Sequence, residues 1–215
     1  MKKPLFSLLF ATTLLVVPTY AIVSGAPFPR SAASKAATPY KLQPQLSTLG
    51  WEAKAVTHGH NGTAQFSAGE LLVTDTQLVG GTVTVDMKTI KATDITDAET
   101  YGKFMGHLTS DDFFATAKHT TASFNITRVT PIKGAAATAN NATITGELTI
   151  KGITKPLSFP AKVGVKNGVV AATGTATVNR TQYDIKYGSK SFFDNIGDKA
   201  IYDDFTLSFN VIAKQ

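Results

Sequence analysis

The residues whose types and spacing are best suited to metal binding or catalysis are two histidines at alternate positions, His58 and His60. Residues two apart in an extended chain point to the same side, so both imidazoles can reach one metal ion. A zinc site needs at least three protein ligands, and Asp75 or Asp86 would have to supply the third from elsewhere in the sequence. The pair therefore supports a metal-assisted hydrolase as one alternative. The other interpretation is a solvated strand end before the Asn61-Gly62 turn.

Other patterns of catalytic chemistry are missing from the sequence. It has no cysteine, no glycine-rich phosphate loop, no nucleophile elbow and no HExxH motif. Its carboxylate pairs, such as Asp111-Asp112 and Asp203-Asp204, lie in polar, turn-like sequence that favours solvated loops or caps. We therefore predict no catalytic residue, no metal and no cofactor, and a protein that is not an enzyme.

The positive charge of the chain is dispersed. The sequence has 21 Lys and Arg against 15 Asp and Glu, a formal net charge of +6. A nucleic-acid-binding protein gathers its cations into a patch, whereas the longest basic run here is Lys2-Lys3. The sequence therefore predicts no nucleic-acid partner.

The first 21 residues have the pattern of a secretory signal peptide. Lys2 and Lys3 precede a short apolar run from Leu5 to Val17. This run is shorter than the about 20 apolar residues that a membrane-spanning helix needs. We expect residues 1–21 to be a signal peptide, cleaved after Ala21 or Ala26, and residues 22–39 to be a disordered leader. The expected location is the periplasm or the exterior of the cell.

Beyond the leader the sequence alternates between apolar and polar residues, which is typical of strands with one buried face. Clear alternation runs through Val79–Met87, Ala142–Ile150, Leu157–Val165 and Phe205–Val211. Asn167-Gly168 lies between two such runs and suits a tight hairpin, because both residues tolerate positive φ. The pattern predicts an antiparallel sheet or barrel of about eight strands.

One stretch has helical periodicity instead. Its apolar residues are Tyr101, Phe104, Met105 and Leu108. Asp94 or Thr96 is placed to cap its N-terminus. The predicted fold class is therefore all-β, with one amphipathic helix between strands. A curled sheet of this size either fills its interior with side chains or leaves a cavity for one small ligand.

Four segments, in order, resemble the YceI-like family of polyisoprenoid-binding, lipocalin-like periplasmic proteins. They are Ser47–Trp51, His107–Phe114, Gly146–Leu157 and Val178–Ile185. The resemblance implies an extended eight-stranded antiparallel lipocalin-like barrel at residues 40–215. Family members are exported, hold a long amphipathic lipid in the barrel lumen, and have no enzymatic mechanism established for the family as a whole. Phe104-Met105 replaces an Arg-Asp pair common in the family, which points to a less anionic head group on the ligand.

The apolar faces and the resemblance together predict the residues that bind the ligand. The expected lumen lining is Trp51, Phe66, Val83, Val85, Phe104, Leu108, Phe113, Phe124, Ile144, Leu148, Phe159, Phe205 and Phe209. The candidate polar anchors are His107, Arg180 and Tyr187. The expected partner is an isoprenoid or other long-chain lipid, with transient membrane contact and a homodimer left open. A secreted hydrolase using His58 and His60, and a filled β-barrel that serves as an interaction module, are the alternatives.

Overall fold

The computed structural model describes residues 35–215. The predicted signal peptide, residues 1–21, and residues 22–34 of the predicted leader lie outside the described residues. The first strand begins at Thr38, before the expected start of the domain at residue 40. Residues 38 and 39 therefore belong to the sheet and not to a leader.

The described chain consists mainly of strands. In chain order the elements are β1 (Thr38–Leu42), β2 (Thr48–Ala55), β3 (Gly59–Thr74), β4 (Gln77–Ala92), α1 (Ala98–Thr109), β5 (Thr121–Pro131), β6 (Ala142–Ile150), β7 (Ile153–Lys166), β8 (Val169–Asn179) and β9 (Ile201–Lys214). Short 3₁₀ turns occur at Pro44–Leu46, Arg180–Tyr183 and Gly197–Lys199. None of the helices within residues 35–215 is long and apolar enough to cross a membrane.

The strands form a closed antiparallel barrel. β1 and β2 each pair with both β3 and β9, so together they act as one interrupted strand. Every other strand pairs with its neighbours in the chain, and β9 returns to β2. The result is the predicted eight-stranded barrel. Closure leaves no open sheet edge, which satisfies the strand N–H and C=O groups without a second layer.

The antiparallel order gives the barrel two distinct ends. The helix end carries residues 56–58, residues 93–120 with α1, the hairpin at 151–152, and the connection 180–200. The hairpin end carries residues 75–76, 132–141 and 167–168. Asn167 and Gly168 have φ of 52° and 72°, the conformation that the sequence predicts for this turn.

A bulge in β4 changes which residues face inward. Leu78 pairs with Val73 and Gly80 with Leu72, so Val79 is the extra residue of the bulge. Nearby, Gly81 has a φ of 134°, a conformation that residues with a side chain rarely adopt. Leu78 is buried and Val79 is 40% exposed, although simple alternation predicts Val79 on the apolar face. Beyond the bulge, Val83 and Val85 lie in the interior as expected. The expectation for Val79 is wrong because one extra residue in a strand reverses the faces that follow it.

Helix α1 connects β4 to β5 at the helix end. Its N-cap is Asp97, whose carboxylate accepts the N–H of Thr100 at 2.8 Å. The predicted caps, Asp94 and Thr96, are therefore wrong, and Asp94 lies beside His60 instead. Leu108 is the buried residue of the helix, and it packs toward the interior of the barrel.

Candidate functional site

The barrel encloses an apolar cavity of about 390 Å³. Inward-facing side chains of β2 to β9 form its wall, and α1 contributes Phe104, His107 and Leu108. The volume falls within the range of small-ligand sites, roughly 300–1,000 Å³. A barrel filled by its own side chains would leave no space of this size, so the filled-barrel alternative loses its support.

All thirteen apolar residues predicted for the lumen, from Trp51 to Phe209, lie on the cavity wall. Further wall residues that the sequence prediction did not name include Leu49, Ala64, Leu71, Leu78, Met87, Ile126, Ile150, Leu157, Ala172, Ala176, Leu207 and Val211. Most of these share the same alternation along their strands, so the signal that finds them is the period of two. Leu78 is an exception, because its inward position depends on the bulge at Val79.

Aromatic rings line the middle of the cavity. The centroids of Phe124 and Phe159 are 5.4 Å apart, and those of Phe159 and Phe209 are 5.3 Å apart in an edge-to-face arrangement. Toward the hairpin end, buried Tyr40, Leu42 and Val73 belong to the same apolar cluster. The wall is therefore apolar along most of the barrel and gathers its polar groups at the helix end.

One group of polar residues at the helix end includes the two alternate histidines. Both His58 and His60 border the cavity, and their ring centroids are 5.3 Å apart. The His60 ring lies 4.4 Å from that of Phe104, which in turn stacks on Trp51 at 6.4 Å. These aromatic contacts connect the polar mouth to the apolar wall.

His60 has a carboxylate partner that the sequence did not predict. Its Nδ1 lies 2.9 Å from Oδ2 of Asp94. Burial raises the pKa of Asp94, but the hydrogen bonds from His60 and from the N–H of Asn61 outweigh it and hold that pKa below its usual value. Nδ1 of His60 therefore pairs with a carboxylate at the rim of the cavity.

Within residues 35–215, the structure does not supply the third ligand that a metal site at His58 and His60 needs. Asp75 lies in the turn between β3 and β4 at the hairpin end, away from His58 and His60. The carboxylate of Asp86 accepts the N–H of Lys88. Within residues 35–215, no group of three or more His, Asp or Glu side chains has the arrangement of a metal site. The predicted third ligands are therefore wrong, and the hydrolase alternative has no assembled centre.

His107 and Tyr187 form a second polar group at the helix end. His107 borders the cavity, and its Nε2 lies 3.3 Å from Oδ2 of Asp112. Its ring contacts those of Tyr187 and Phe113 edge-to-face, at 4.3 and 5.0 Å between centroids. His107 is thus placed to meet a ligand, whereas Tyr187 does not line the cavity and is half-exposed.

Arg180 stabilises the contact between the 180–200 connection and β9. Its buried guanidinium donates to the carbonyl oxygens of Tyr202, Ile185, Tyr187 and Ile201, over 2.8–3.0 Å. Nη2 also lies 3.6 Å from Oδ1 of Asp203. Burial lowers the pKa of Arg180, and the charge of Asp203 opposes that effect. These carbonyls and Asp203 engage its donors, so Arg180 joins the 180–200 connection to β9. Arg180 also borders the cavity, and its role as a ligand anchor stays a prediction.

A closed antiparallel barrel around an apolar cavity, with polar groups at one end, defines the class of lipocalin-like β-barrels. Within that class, the model of the YceI-like domain matches residues 40–213, and the chain belongs to this family. A search of the curated proteins finds no match.

Two solved structures share the fold. The crystal structure of BcnA from Burkholderia cenocepacia aligns with a TM-score of 0.62 at 18% identity, over 80% of this chain and 99% of that one. A polyisoprenoid-binding domain from Saccharophagus degradans aligns with a TM-score of 0.54 at 14% identity, over 81% of this chain and 97% of that one. At these identities the likeness shows the barrel fold.

Proposed function

We propose that this protein is an exported carrier that holds one long amphipathic lipid, of the polyisoprenoid type, in the barrel lumen. The observation that carries the proposal is the cavity, whose wall is apolar from Phe104 at the helix end to Leu71 and Leu78 toward the hairpin end. Membership of the YceI-like family supports it, as does the fold shared with a domain described as polyisoprenoid-binding.

The physical basis is the removal of a hydrocarbon chain from water. Each Å² of apolar surface that enters the lumen contributes about 25 cal/mol. The few polar groups lie at one end, where His58, His60 and His107 border the cavity. A ligand with an apolar tail and a polar head would therefore lie with its tail in the barrel and its head among these histidines.

Binding is the activity that this arrangement supports, because the apolar wall can cover a hydrocarbon chain and the polar groups at the mouth can meet its head. Export rests on the sequence of residues 1–21, so the proposed place of action is the periplasm or the exterior of the cell. A carrier or sequestering role follows from holding the lipid without changing it.

Organic extraction of the purified native protein, followed by mass spectrometry, tests this function. We expect a long-chain lipid at up to one molecule per chain. Trp51 gives a second readout, because it is the only tryptophan in the sequence and lines the cavity. Its fluorescence is expected to change when delipidated protein takes up geranylgeraniol, an isoprenoid alcohol. Protein that carries no lipid and takes none up would refute the proposal.

A further inference from the structure

The connection between β8 and β9 exposes an unusual set of aromatic side chains. We call residues 186–193 the aromatic loop. Within it Tyr187 is 47% exposed, Phe192 50% and Phe193 48%. Large aromatic side chains normally lie in the core or at an interface, so a group of three half-exposed rings in eight residues indicates a surface that contacts something apolar.

The aromatic loop is held in place by its own hydrogen bonds. Ser189 is fully buried, and its carbonyl oxygen accepts the N–H groups of Phe192 and Phe193 at 3.1 and 3.0 Å. The carbonyl of Gly188 accepts the N–H of Ile201 at the start of β9, at 2.8 Å. The two phenylalanines are therefore presented on an ordered turn, which lowers the entropic cost of using them in a contact.

The aromatic loop adjoins the mouth of the cavity. Ile185, directly before the loop, and Ile201, at the start of β9, both line the cavity. Within the loop, Tyr187 contacts the cavity residue His107 at 4.3 Å between centroids. A surface that covers the loop would therefore also meet the place where a lipid enters or leaves the barrel.

The exposed area is small for a protein partner. A buried aromatic side chain removes roughly 150–250 Å² from water, so three half-exposed rings offer roughly 225–375 Å². A stable protein interface needs about 800 Å² from each partner. A second copy of this chain would need much more surface than the aromatic loop provides, whereas a bilayer interface accepts a few inserted rings.

The charges around the loop identify the kind of bilayer. Nζ of Lys186 lies 5.2 Å from the ring centroid of Phe192 and 2.7 Å from a carboxylate oxygen of Asp184. Lys190 and Lys199 are accompanied by Asp194 and Asp198 in the same connection. Over residues 184–199 these three lysines are balanced by three aspartates. This stretch therefore has no net attraction for anionic lipid, and the rings must supply the affinity.

We propose that the helix end of the barrel docks on a zwitterionic bilayer through the aromatic loop. Phe192 and Phe193 enter the interface between head groups and acyl chains, Lys186 extends toward the head groups, and the cavity mouth faces the membrane. The docking of the loop is independent of the ligand, but its use in loading and unloading lipid rests on the proposed function.

The test is co-sedimentation of the described barrel, residues 35–215, with sucrose-loaded vesicles of pure phosphatidylcholine. This part folds on its own because every strand pairs within residues 38–214, and it omits the apolar run 5–17, which would bind vesicles by itself. The double variant Phe192→Ser/Phe193→Ser is expected to lower the partition coefficient by at least about tenfold. Binding of the unmodified barrel should change little with salt, because charge does not drive it.

A matched control comes from the opposite end of the barrel. Val79 and Ile132 are 40% and 39% exposed and lie at or next to the hairpin end. Val79→Ser/Ile132→Ser removes two exposed apolar side chains far from the loop and should leave vesicle binding unchanged. Equal loss in both double variants, or no vesicle binding by the unmodified barrel, would overturn the docking proposal.

Two further readouts separate the possible failures. Trp51 fluorescence on adding geranylgeraniol should be the same in the unmodified barrel and both double variants, because none of the four positions lines the cavity. Lipid uptake without vesicle binding would refute docking alone, and vesicle binding without uptake would refute the carrier function alone. A dimer in light scattering that Phe192→Ser/Phe193→Ser converts to monomer would show that the loop joins two copies, which would also refute docking.

Discussion

Trp51 on β2 lies directly opposite Gly62 on β3, and the edge of its indole ring fills the space that a side chain at position 62 would occupy. A Cβ added at Gly62 would lie 2.6 Å from Cζ2 of Trp51 and still closer to the carbonyl oxygen of Lys91. The absent side chain at position 62 thus places the indole that stacks on Phe104 at the mouth of the cavity.

Gly62→Ala should destabilise the barrel by about 1–3 kcal/mol, because the methyl group has to displace an indole ring and a backbone carbonyl. The measurement is urea unfolding, with Trp51 fluorescence reporting the displaced ring. Gly164→Ala on β7 is the control, since a Cβ there meets no neighbouring atom within 4 Å. Equal stability of the two variants would show that the contact between Trp51 and Gly62 is not as close as described.

Arg180→Lys keeps the positive charge but loses the planar guanidinium, whose N–H groups donate to four carbonyl oxygens around the 180–200 connection. We expect a loss of about 2–5 kcal/mol in the free energy of unfolding, because buried carbonyls lose their donors. Arg128→Lys is the control, since Arg128 is exposed on β5 and should change stability by less than about 0.5 kcal/mol.

A second measurement on Arg180→Lys separates structure from ligand binding. The folded fraction of the variant should take up geranylgeraniol as the unmodified protein does, because the guanidinium donors serve carbonyls of the chain. Normal stability combined with weakened uptake would show that Arg180 anchors a ligand.

Acid should weaken the contact between Arg180 and Asp203. Burial raises the pKa of Asp203, but hydrogen bonds from Ser189 and Ser191 and the charge of Arg180 outweigh it, so this pKa lies below its ordinary value. Below about pH 4 the unfolded chain then binds more protons at this position than the folded chain does. The contribution of Asp203 to the free energy of unfolding is complete above that pH. It is lost as the pH falls through the pKa that Asp203 has in the folded protein.

Urea unfolding between about pH 3 and pH 6 measures this loss. Asp203→Asn should reduce the slope of stability against pH below about pH 4, whereas Asp204→Asn, at the exposed neighbouring residue, should leave that slope nearly unchanged. An unaltered slope in Asp203→Asn would contradict the described surroundings of the carboxylate.

Two glycines weaken the helix at the cavity mouth. A Cβ at Gly102 or Gly106 would meet no neighbouring atom within 4 Å, so packing does not require glycine at either position of α1. Each glycine costs a helix roughly 0.5–1 kcal/mol relative to alanine. Gly102→Ala/Gly106→Ala should raise the stability of the protein and slow both uptake and release of lipid, as measured by stopped-flow fluorescence of Trp51. Unchanged rates in a stabilised variant would show that lipid does not pass beside α1.

The sequence was sufficient to predict the antiparallel strands and their apolar face, because both follow from local patterns. The closed barrel was implied by the family resemblance, and whether its lumen is open was left undecided. Ile144 and Leu148 alternate with polar residues on β6, and the structure places both on the cavity wall. Val79 could not be placed correctly, because it is itself the extra residue of a bulge in β4, and the sequence does not show where such a residue interrupts the alternation.

The role of Arg180 was beyond prediction for a different reason. Its carbonyl partners at Ile201 and Tyr202 lie 21 and 22 residues away, and only the folded connection brings them together. The pairing of His60 with Asp94 spans 34 residues and is equally invisible to local reasoning. An isolated cation or histidine in the sequence therefore suggests a site, while its partners decide whether the side chain is free to act there.

The central claim is that lipid lies inside the barrel, and blocking the lumen tests it most directly. Ala172 on β8 lines the cavity, and the next residue, Thr173, is exposed. Native mass spectrometry of delipidated protein with geranylgeraniol should find one lipid per chain for the unmodified protein and for Thr173→Phe. Ala172→Phe, verified as folded by urea unfolding, should lower uptake by at least about tenfold, because its ring occupies the lumen. Equal uptake by the two phenylalanine variants would contradict the account.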